Sequence, residues 1–149
     1  MADGETFSIS VSRRFAAPAE RVFDAWLDPV LAAKWLFATP NGTMIKSEID
    51  PTLGGEFCLV ERREDEDIEH YGEFIELERP TRIVFDFSVN QSETSRVAVD
   101  IEAVAGGPEG DGCALTLTHT MHPRWANFAE RSKAGWEMML DGLAGAVVG

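Results

Sequence analysis

The hydrophobic pattern of this chain changes its period once, near Pro123. Between residues 43 and 121, apolar side chains recur at every second position within short segments, as in Ile83, Phe85 and Phe87. That spacing is typical of strands that bury one face of a sheet. After Pro123 the apolar positions recur every three to four residues, which is typical of an amphipathic helix. The pattern therefore predicts a series of strands followed by one long C-terminal helix.

The first 40 residues predict one further strand and two short helices. Within residues 6–15, three apolar residues alternate with serines, which indicates a strand with one buried side. Apolar residues spaced three to four apart then mark one helical face: Ala19, Val22, Phe23, Trp26 and Leu27. Asp28-Pro29 begins the second helix, since an acid at the N-cap followed by proline is a typical helix start.

These elements together predict an α+β fold, in which an antiparallel sheet of about seven strands wraps around the C-terminal helix. Each strand is apolar on one side only, so the sheet needs that helix as a cover. Gly135, Gly142 and Gly145 weaken the helix, and they indicate either close approach to the sheet or a ligand, or a locally weak helix. With 149 residues and no linker-like segment, residues 1–149 are expected to form one domain.

The charge of the chain argues against several classes of partner. It has 13 basic and 26 acidic residues and a formal net charge of −13, so neither nucleic acid nor an anionic membrane surface is an expected partner. It contains no run of about 18 apolar residues and no signal-peptide core. Cys58 and Cys113 are too few for a disulfide framework. We therefore expect a cytoplasmic protein.

Aromatic residues are concentrated on the predicted inner faces of the strands and helices. Together with one methionine they form this set: Trp26, Trp35, Phe57, Phe74, Phe85, Phe87, Trp136 and Met139. Such a surface is typical of a hydrophobic ligand pocket, which combines many aromatic groups with few polar ones. The alternative is a filled core, and for any single residue the pattern alone favours core packing.

His119 is in phase with Leu115 and Leu117 and is therefore predicted on the inner face. As a functional group it would be a neutral imidazole that binds a ligand or acts as a general base. The alternative is a core histidine whose nitrogens bond to the backbone or to a helix residue. We favour this alternative, because the sequence offers no evident partners for a catalytic triad.

Glu61 and His70 are predicted to face each other across two neighbouring strands. If both point inward, a carboxylate beside an imidazole forms an acid–base pair in which each group shifts the pKa of the other. Both lie near an acidic hairpin tip at residues 64–67, and lone charges are rarely buried. The sequence therefore favours two solvated side chains, and an error of one residue in register would also turn both outward.

No metal site and no cofactor are predicted. His119 and His122 lie three residues apart, but neither an HExxH motif nor a cysteine pair accompanies them. The glycine-rich run at residues 106–112 is acidic and lacks the lysine of a phosphate-binding loop, so it is expected to be a connector.

Several local motifs, taken in order, resemble those of one known family. They are Ala17–Trp26, Asp28-Pro29, Lys34-Trp35, Leu53-Gly54-Gly55, Gly72–Glu76, Pro80–Phe85, Leu115–His119, Gly135-Trp136 and Leu140-Asp141. Their order and spacing are similar to those of the activator-of-heat-shock-protein-90-ATPase-like branch of the SRPBCC, or START-like, superfamily. The resemblance covers the chain from about residue 7 to residue 148. One departure is Trp35-Leu36, where the family often has two tryptophans, and it is expected to change the pocket rather than the fold.

The resemblance implies a helix-grip fold, in which a curved sheet closes around the C-terminal helix. It also implies a cavity between the two for a hydrophobic or aromatic small molecule, a lipid included. The inward aromatic residues, Met139 and His119 would line this cavity, and His119 matches a histidine that is frequent in the family. The main functional hypothesis is therefore a small-molecule binding protein that needs no cofactor.

Two other functions stay open. Relatives in the wider superfamily act on polyketide-like substrates, so an enzyme of the polyketide cyclase or hydrolase type would use the same cavity. His119, Glu61 and His70 would then be the candidate catalytic residues. The family name also implies a co-chaperone that activates a heat-shock ATPase, although the eukaryotic activators carry an additional N-terminal domain that this sequence lacks. A homodimer is a further expectation, because exposed strand edges often pair.

Overall fold

The computed structural model describes residues 7–39, 41–90, 94–107, 110–122 and 127–147. Within these ranges the strands and α-helices follow in this order: β1 (Phe7–Phe15), α1 (Ala19–Leu27), α2 (Pro29–Ala32), β2 (Thr43–Ile49), β3 (Glu56–Arg63), β4 (Glu66–Glu78), β5 (Arg82–Val89), β6 (Ser95–Gly107), β7 (Gly110–Met121) and α3 (Ala129–Val147). This order confirms the predicted succession of one strand, two short helices, six strands and one long helix. The strands extend further than expected into the glycine-rich run, because β6 ends at Gly107 and β7 begins at Gly110.

All of these strands belong to one antiparallel sheet with the order β1-β7-β6-β5-β4-β3-β2. Strands β2 to β6 each pair with the next strand along the chain, and β7 also pairs with β1. The register keeps apolar residues of one phase on the same face, so that Phe74 lies opposite Phe85. Shifts in register between Phe74 and Glu76, and between Met44 and Lys46, bend the strands around that face. The predicted α+β helix-grip architecture is confirmed.

Helices α1 and α3 cover the inner face of the sheet. Helix α3 packs against β1 and α1, and it buries Trp136, Leu140, Leu143 and Val147 along one side. Met139 is only half-buried, because the fully inward position at this level of the helix belongs to Leu140. None of the helices in the described ranges is long and apolar enough to span a membrane.

The short helix α2 begins at the predicted start signal. The carboxylate of Asp28 accepts hydrogen bonds from the backbone N–H groups of Val30 at 2.8 Å and Leu31 at 3.2 Å. After α2 the chain turns back across the inner side of the sheet. We call residues 33–39 the Phe37 loop, after the buried residue at its centre.

The glycines of α3 only partly follow the expectation of close approach. A Cβ at Gly142 would lie 3.0 Å from the Cβ of Trp35, so the helix is close to the Phe37 loop at this position. A Cβ at Gly135 or at Gly145 would meet no atom within 4 Å. Gly142 thus approaches the Phe37 loop rather than the sheet, whereas Gly135 and Gly145 face open space.

Candidate functional site

The residues that were predicted to line a pocket come together between the sheet, α1 and α3. All but one of them are buried: Trp26, Trp35, Phe57, Phe74, Phe85, Phe87, His119 and Trp136. The exception is Met139, which is half-buried and packs at the edge of this group. The predicted orientation of the rings is therefore correct, because their phase on each element is the phase that faces inward.

One group of rings surrounds Trp26, and we call Trp26, Trp35, Phe85 and Trp136 the Trp26 cluster. The centroids of Trp26 and Trp35 lie 4.6 Å apart with their planes at 85°, an edge-to-face contact. Phe85 and Trp136 lie 6.2 Å and 6.3 Å from Trp26. Residues from α1, the Phe37 loop, β5 and α3 thus meet in one apolar cluster.

A second group of rings surrounds Phe37, a residue that no pattern in the sequence singles out. Phe37 stacks on His70 with a centroid distance of 4.2 Å and an interplanar angle of 8°, and it lies 5.1 Å from Phe87. Its φ of +57° is unusual for a residue other than glycine. Its backbone N–H donates to the Met139 sulfur at 3.1 Å, which attaches the loop to α3. The nearest sequence signal is the turn at Pro40-Asn41-Gly42, which shows that the chain turns there but not where Phe37 points.

The predicted lining residues touch one another in this structure. Two open recesses, of about 630 Å³ and 620 Å³, lie instead on the outer side of strands β2 to β4. The first is lined mainly by polar and charged groups, with Tyr71 and Cys58 among them. Of the predicted lining residues only Phe57 borders one of these recesses, and the rings of the predicted pocket form part of the hydrophobic core.

His119 is a core histidine with a partner on each ring nitrogen, as the sequence favoured. The indole Nε1–H of Trp136 donates to its Nδ1 at 3.1 Å. Because Nδ1 accepts, the proton of the neutral ring is on Nε2, which donates to the Ser95 hydroxyl at 2.8 Å. Burial lowers the pKa of His119 to about 4, so the ring is neutral at pH 7. Its one basic lone pair is occupied, which leaves no free base at this position.

Glu61 is buried, and the expectation of a solvated side chain was wrong. Only 1% of the residue is exposed. One carboxylate oxygen accepts from the backbone N–H of Thr39 at 2.5 Å and from its hydroxyl at 2.8 Å, and the other accepts from the Arg63 guanidinium. We call this arrangement the Glu61 clasp. Burial acts to raise the pKa of Glu61, but the donors from Arg63 and Thr39 outweigh it and hold the pKa below its ordinary value. A Cβ at Gly42 would overlap this carboxylate, so glycine is needed there.

His70 is also buried, contrary to the expectation, and is 5% exposed. Its Nδ1 lies 3.3 Å from the backbone carbonyl of Leu59, which places the proton of the neutral ring on Nδ1. Burial is the main reason that the pKa of His70 falls to about 4, while nearby Arg63 lowers it further and Glu61 opposes this. The physical reason for both errors is the Phe37 loop, which covers His70 with a ring and supplies donors to Glu61.

The three tryptophans that the structure describes are buried, and they differ in what their indole N–H groups contact. Trp136 donates to His119, and Trp35 donates to the backbone carbonyl of Ala25 at 3.2 Å. The Nε1–H of Trp26 is buried without any hydrogen-bond partner in the described part of the chain. Trp26 therefore presents a donor inside an aromatic cluster in which no nitrogen or oxygen atom of a described residue accepts from it.

A metal site is not formed by the described residues. No three His, Cys, Asp or Glu side chains among them are close enough together to hold an ion. The two buried histidines use ring nitrogens for bonds to protein groups, and the Glu61 carboxylate is occupied by three donors. The buried histidines and Glu61 thus pair with protein groups in the described part of the chain.

The chain is similar to known proteins over most of its length. Residues 16–147 match the family model of the activator of Hsp90 ATPase homolog 1-like proteins. Protein CV1439 from Chromobacterium violaceum is 26% identical to this chain, with a TM-score of 0.80, and the alignment covers 94% of this chain and 96% of that one. An AHSA1-like protein from Aeromonas hydrophila is also 26% identical, with a TM-score of 0.73 and coverage of 95% and 92%.

A third solved structure, CalU16 from Micromonospora echinospora, is 24% identical and has a TM-score of 0.68. The alignment covers 99% of this chain and 80% of CalU16. At this level of identity the likeness concerns the fold alone. A comparison with curated proteins finds no match.

Proposed function

The chain belongs to the activator of Hsp90 ATPase homolog 1-like family, and on that basis we propose that it binds a small hydrophobic or aromatic molecule between the sheet and α3. The observation that carries the proposal is the convergence of the aromatic rings on this interior from α1, the Phe37 loop, the strands and α3. Few polar side chains are buried with them: Glu61, His70 and His119. A surface of this composition recognises apolar shape rather than charge.

A ligand would enter by displacing rings, because the aromatic side chains contact one another in this structure. The Phe37 loop is the segment whose displacement would open the interior. It is attached to α3 through the Met139 sulfur, which is a weak acceptor, and to β3 through the Glu61 clasp. Movement of Phe37 away from His70 and Phe87 would expose the faces of both rings to an incoming molecule.

The enzyme alternative receives less support from the geometry than binding does. A general base needs an available lone pair within reach of its substrate. The Nδ1 lone pair of His119 accepts from Trp136, and the Glu61 carboxylate already accepts three hydrogen bonds. Catalysis by these groups would first require that they exchange their protein partners for a substrate.

Indole NMR signals test the binding proposal directly. Protein with ¹⁵N-labelled tryptophan would be titrated with indane, a small apolar aromatic molecule, and signals would be assigned with Trp26→Phe and Trp136→Phe variants. We expect saturable shifts of the Trp26 and Trp136 signals, because both rings line the interior.

The control is Tyr71→Ala, because Tyr71 is exposed and lines the outer recess. Binding in the interior should be unchanged in this variant. If the indole signals stay fixed in the wild-type protein, or if binding is lost in Tyr71→Ala, the proposal is wrong.

A further inference from the structure

Trp26 is the one described residue with a buried side-chain nitrogen or oxygen that has no hydrogen-bond partner. The residue is 2% exposed, so water does not reach the ring from outside. Leaving a buried donor unpaired carries a penalty that native structures rarely retain without a reason. An unpaired donor inside a proposed binding site therefore indicates that the ligand carries a hydrogen-bond acceptor.

The surroundings of Trp26 restrict what can accept from it. The ring is bordered by Trp35, Phe85 and Trp136, and the indole N–H groups of both tryptophans are engaged elsewhere. A buried water needs two to four polar partners, and among the side chains of this cluster only the Trp26 N–H is free to bond to it. A hydroxyl group would satisfy Trp26 but would bring its own donor, which would then lack an acceptor.

Charge makes a further distinction among acceptors. An anionic ligand would be buried without a cation in the Trp26 cluster, whose members are all uncharged, and burying a lone charge is costly. The only described buried carboxylate, Glu61, would repel an anion as well. A neutral group that accepts and does not donate fits all of these conditions.

We propose that the ligand of this protein is an aromatic or polycyclic ketone whose carbonyl oxygen accepts a hydrogen bond from Trp26 Nε1. This inference rests on the proposed binding function and specifies its chemistry. The ring system of the ligand occupies the aromatic interior, and its carbonyl supplies the acceptor that the folded chain lacks at Trp26. Trp26 thereby discriminates a ketone from a hydrocarbon or an alcohol of the same shape.

A matched series of probes tests this discrimination. Indane, 1-indanone and 1-indanol share one bicyclic shape, and fluorene with 9-fluorenone repeats the comparison at a larger size. Isothermal titration should show that each ketone binds the wild-type protein about tenfold more tightly than its hydrocarbon, which corresponds to about 1.4 kcal/mol. The alcohol should bind no more tightly than indane.

Two variants connect the preference to one nitrogen atom. Trp26→Phe keeps an aromatic ring and removes the N–H, so the ketone and the hydrocarbon should bind it equally. Trp35→Phe is the control, because it removes an N–H from the same cluster that already has a partner in Ala25. The tenfold preference should persist in that variant.

The wild-type protein provides a readout that does not depend on the folding of any variant. The Trp26 Nε1–H signal should move downfield when 1-indanone binds and should not do so with indane. If both compounds bind with equal affinity and no downfield shift, this inference is overturned while the proposed function stands. If no compound of either size binds, the proposed function fails, and this inference fails with it.

Discussion

The two ends of the interior differ in whether their buried polar groups have hydrogen-bond partners. At the Glu61 end, one carboxylate accepts from three donors and is almost wholly shielded from solvent. At the Trp26 end, one donor lies equally deep and has no described acceptor. The two groups lie at different positions along β4. Glu61 is opposite Ile68 of that strand. Trp26 contacts Phe85, which is opposite Phe74 of the same strand.

This difference distinguishes a polar group that stabilises the fold, the Glu61 carboxylate, from one that is available to a ligand, the Trp26 N–H. The Glu61 clasp is complete within the folded chain and attaches the Phe37 loop to the sheet. Trp26 is incomplete until another molecule supplies an acceptor. Burial of a polar group alone therefore does not identify a ligand-binding group. Burial without a hydrogen-bond partner is the more selective criterion.

The largest expected effect follows from breaking the Glu61 clasp. Glu61→Ala should lower the free energy of unfolding by about 3 kcal/mol, because it leaves the Thr39 donors without an acceptor, while the partly exposed Arg63 can turn to water. Glu48→Ala is the matched control, since Glu48 is exposed and should change stability by less than about 0.5 kcal/mol. Urea unfolding measures both, and similar losses in the two variants would contradict a structural role for Glu61.

The same substitution at two tryptophans tests the contrast more closely. Trp136→Phe leaves His119 Nδ1 without its donor, whereas Trp26→Phe removes a donor that had no partner. Both changes remove a similar ring volume, so the difference between them reports the hydrogen bond. We expect Trp136→Phe to be less stable than Trp26→Phe by about 2 kcal/mol in urea unfolding. Equal stabilities would show that Trp26 has an acceptor after all.

Each end of the interior holds one histidine, and their titration should affect stability alike. The pKa of His70 and of His119 is about 4 in the folded chain, against an ordinary value of 6.5. Between pH 6.5 and 4.5 the unfolded chain takes up protons that the folded chain does not, so stability falls as the pH falls. Each histidine should contribute a slope of about 1.4 kcal/mol per pH unit once its unfolded form is mostly protonated.

Variants assign that slope to its two sources. His70→Gln and His119→Gln should each reduce the slope in urea unfolding by about half between pH 6.5 and 5.5. The ordinary pKa of a glutamate is 4.5, so Glu61 is almost fully ionised in both states over this window and adds to the pH dependence mainly at lower pH. A slope that neither variant changes would mean that the histidines are charged in the folded chain.

The smallest expected effect concerns the glycines of α3. Gly145→Ala should stabilise the protein by up to about 1 kcal/mol, because alanine is the better helix former and its Cβ would meet open space. Gly142→Ala should lose that gain, because its Cβ would press on Trp35 of the Trp26 cluster. Thermal unfolding of both variants checks this, and equal gains would mean that α3 can move away from Trp35 freely.

The fold could be predicted because its strands and helices are indicated by patterns among residues that are close in sequence. The alternation at Ile83, Phe85 and Phe87 is a property of neighbouring residues, and so is the helical spacing after Pro123. The inward position of the aromatic rings followed from the same phase. The resemblance to a family then added the helix-grip fold, in which a curved sheet closes around the C-terminal helix.

The polar part of the candidate site could not be predicted because it depends on contacts between distant segments. Glu61 is buried only because Thr39, from a loop with no periodic pattern, brings two donors to it. His70 is covered by Phe37, whose left-handed backbone no local pattern indicates. The missing partner of Trp26 is likewise a property of three-dimensional packing, since the sequence shows a tryptophan on a helix face and nothing of its nitrogen.

The backbone N–H of Thr39 belongs to neither a strand nor a helix, yet a carboxylate holds it. Its proton can exchange with deuterium only when the Phe37 loop lifts from β3, so the exchange rate of this single amide counts the openings of the interior. A molecule bound beneath the loop would lower the exchange rate of the Thr39 amide, whereas a molecule bound in the outer recess would leave that rate unchanged.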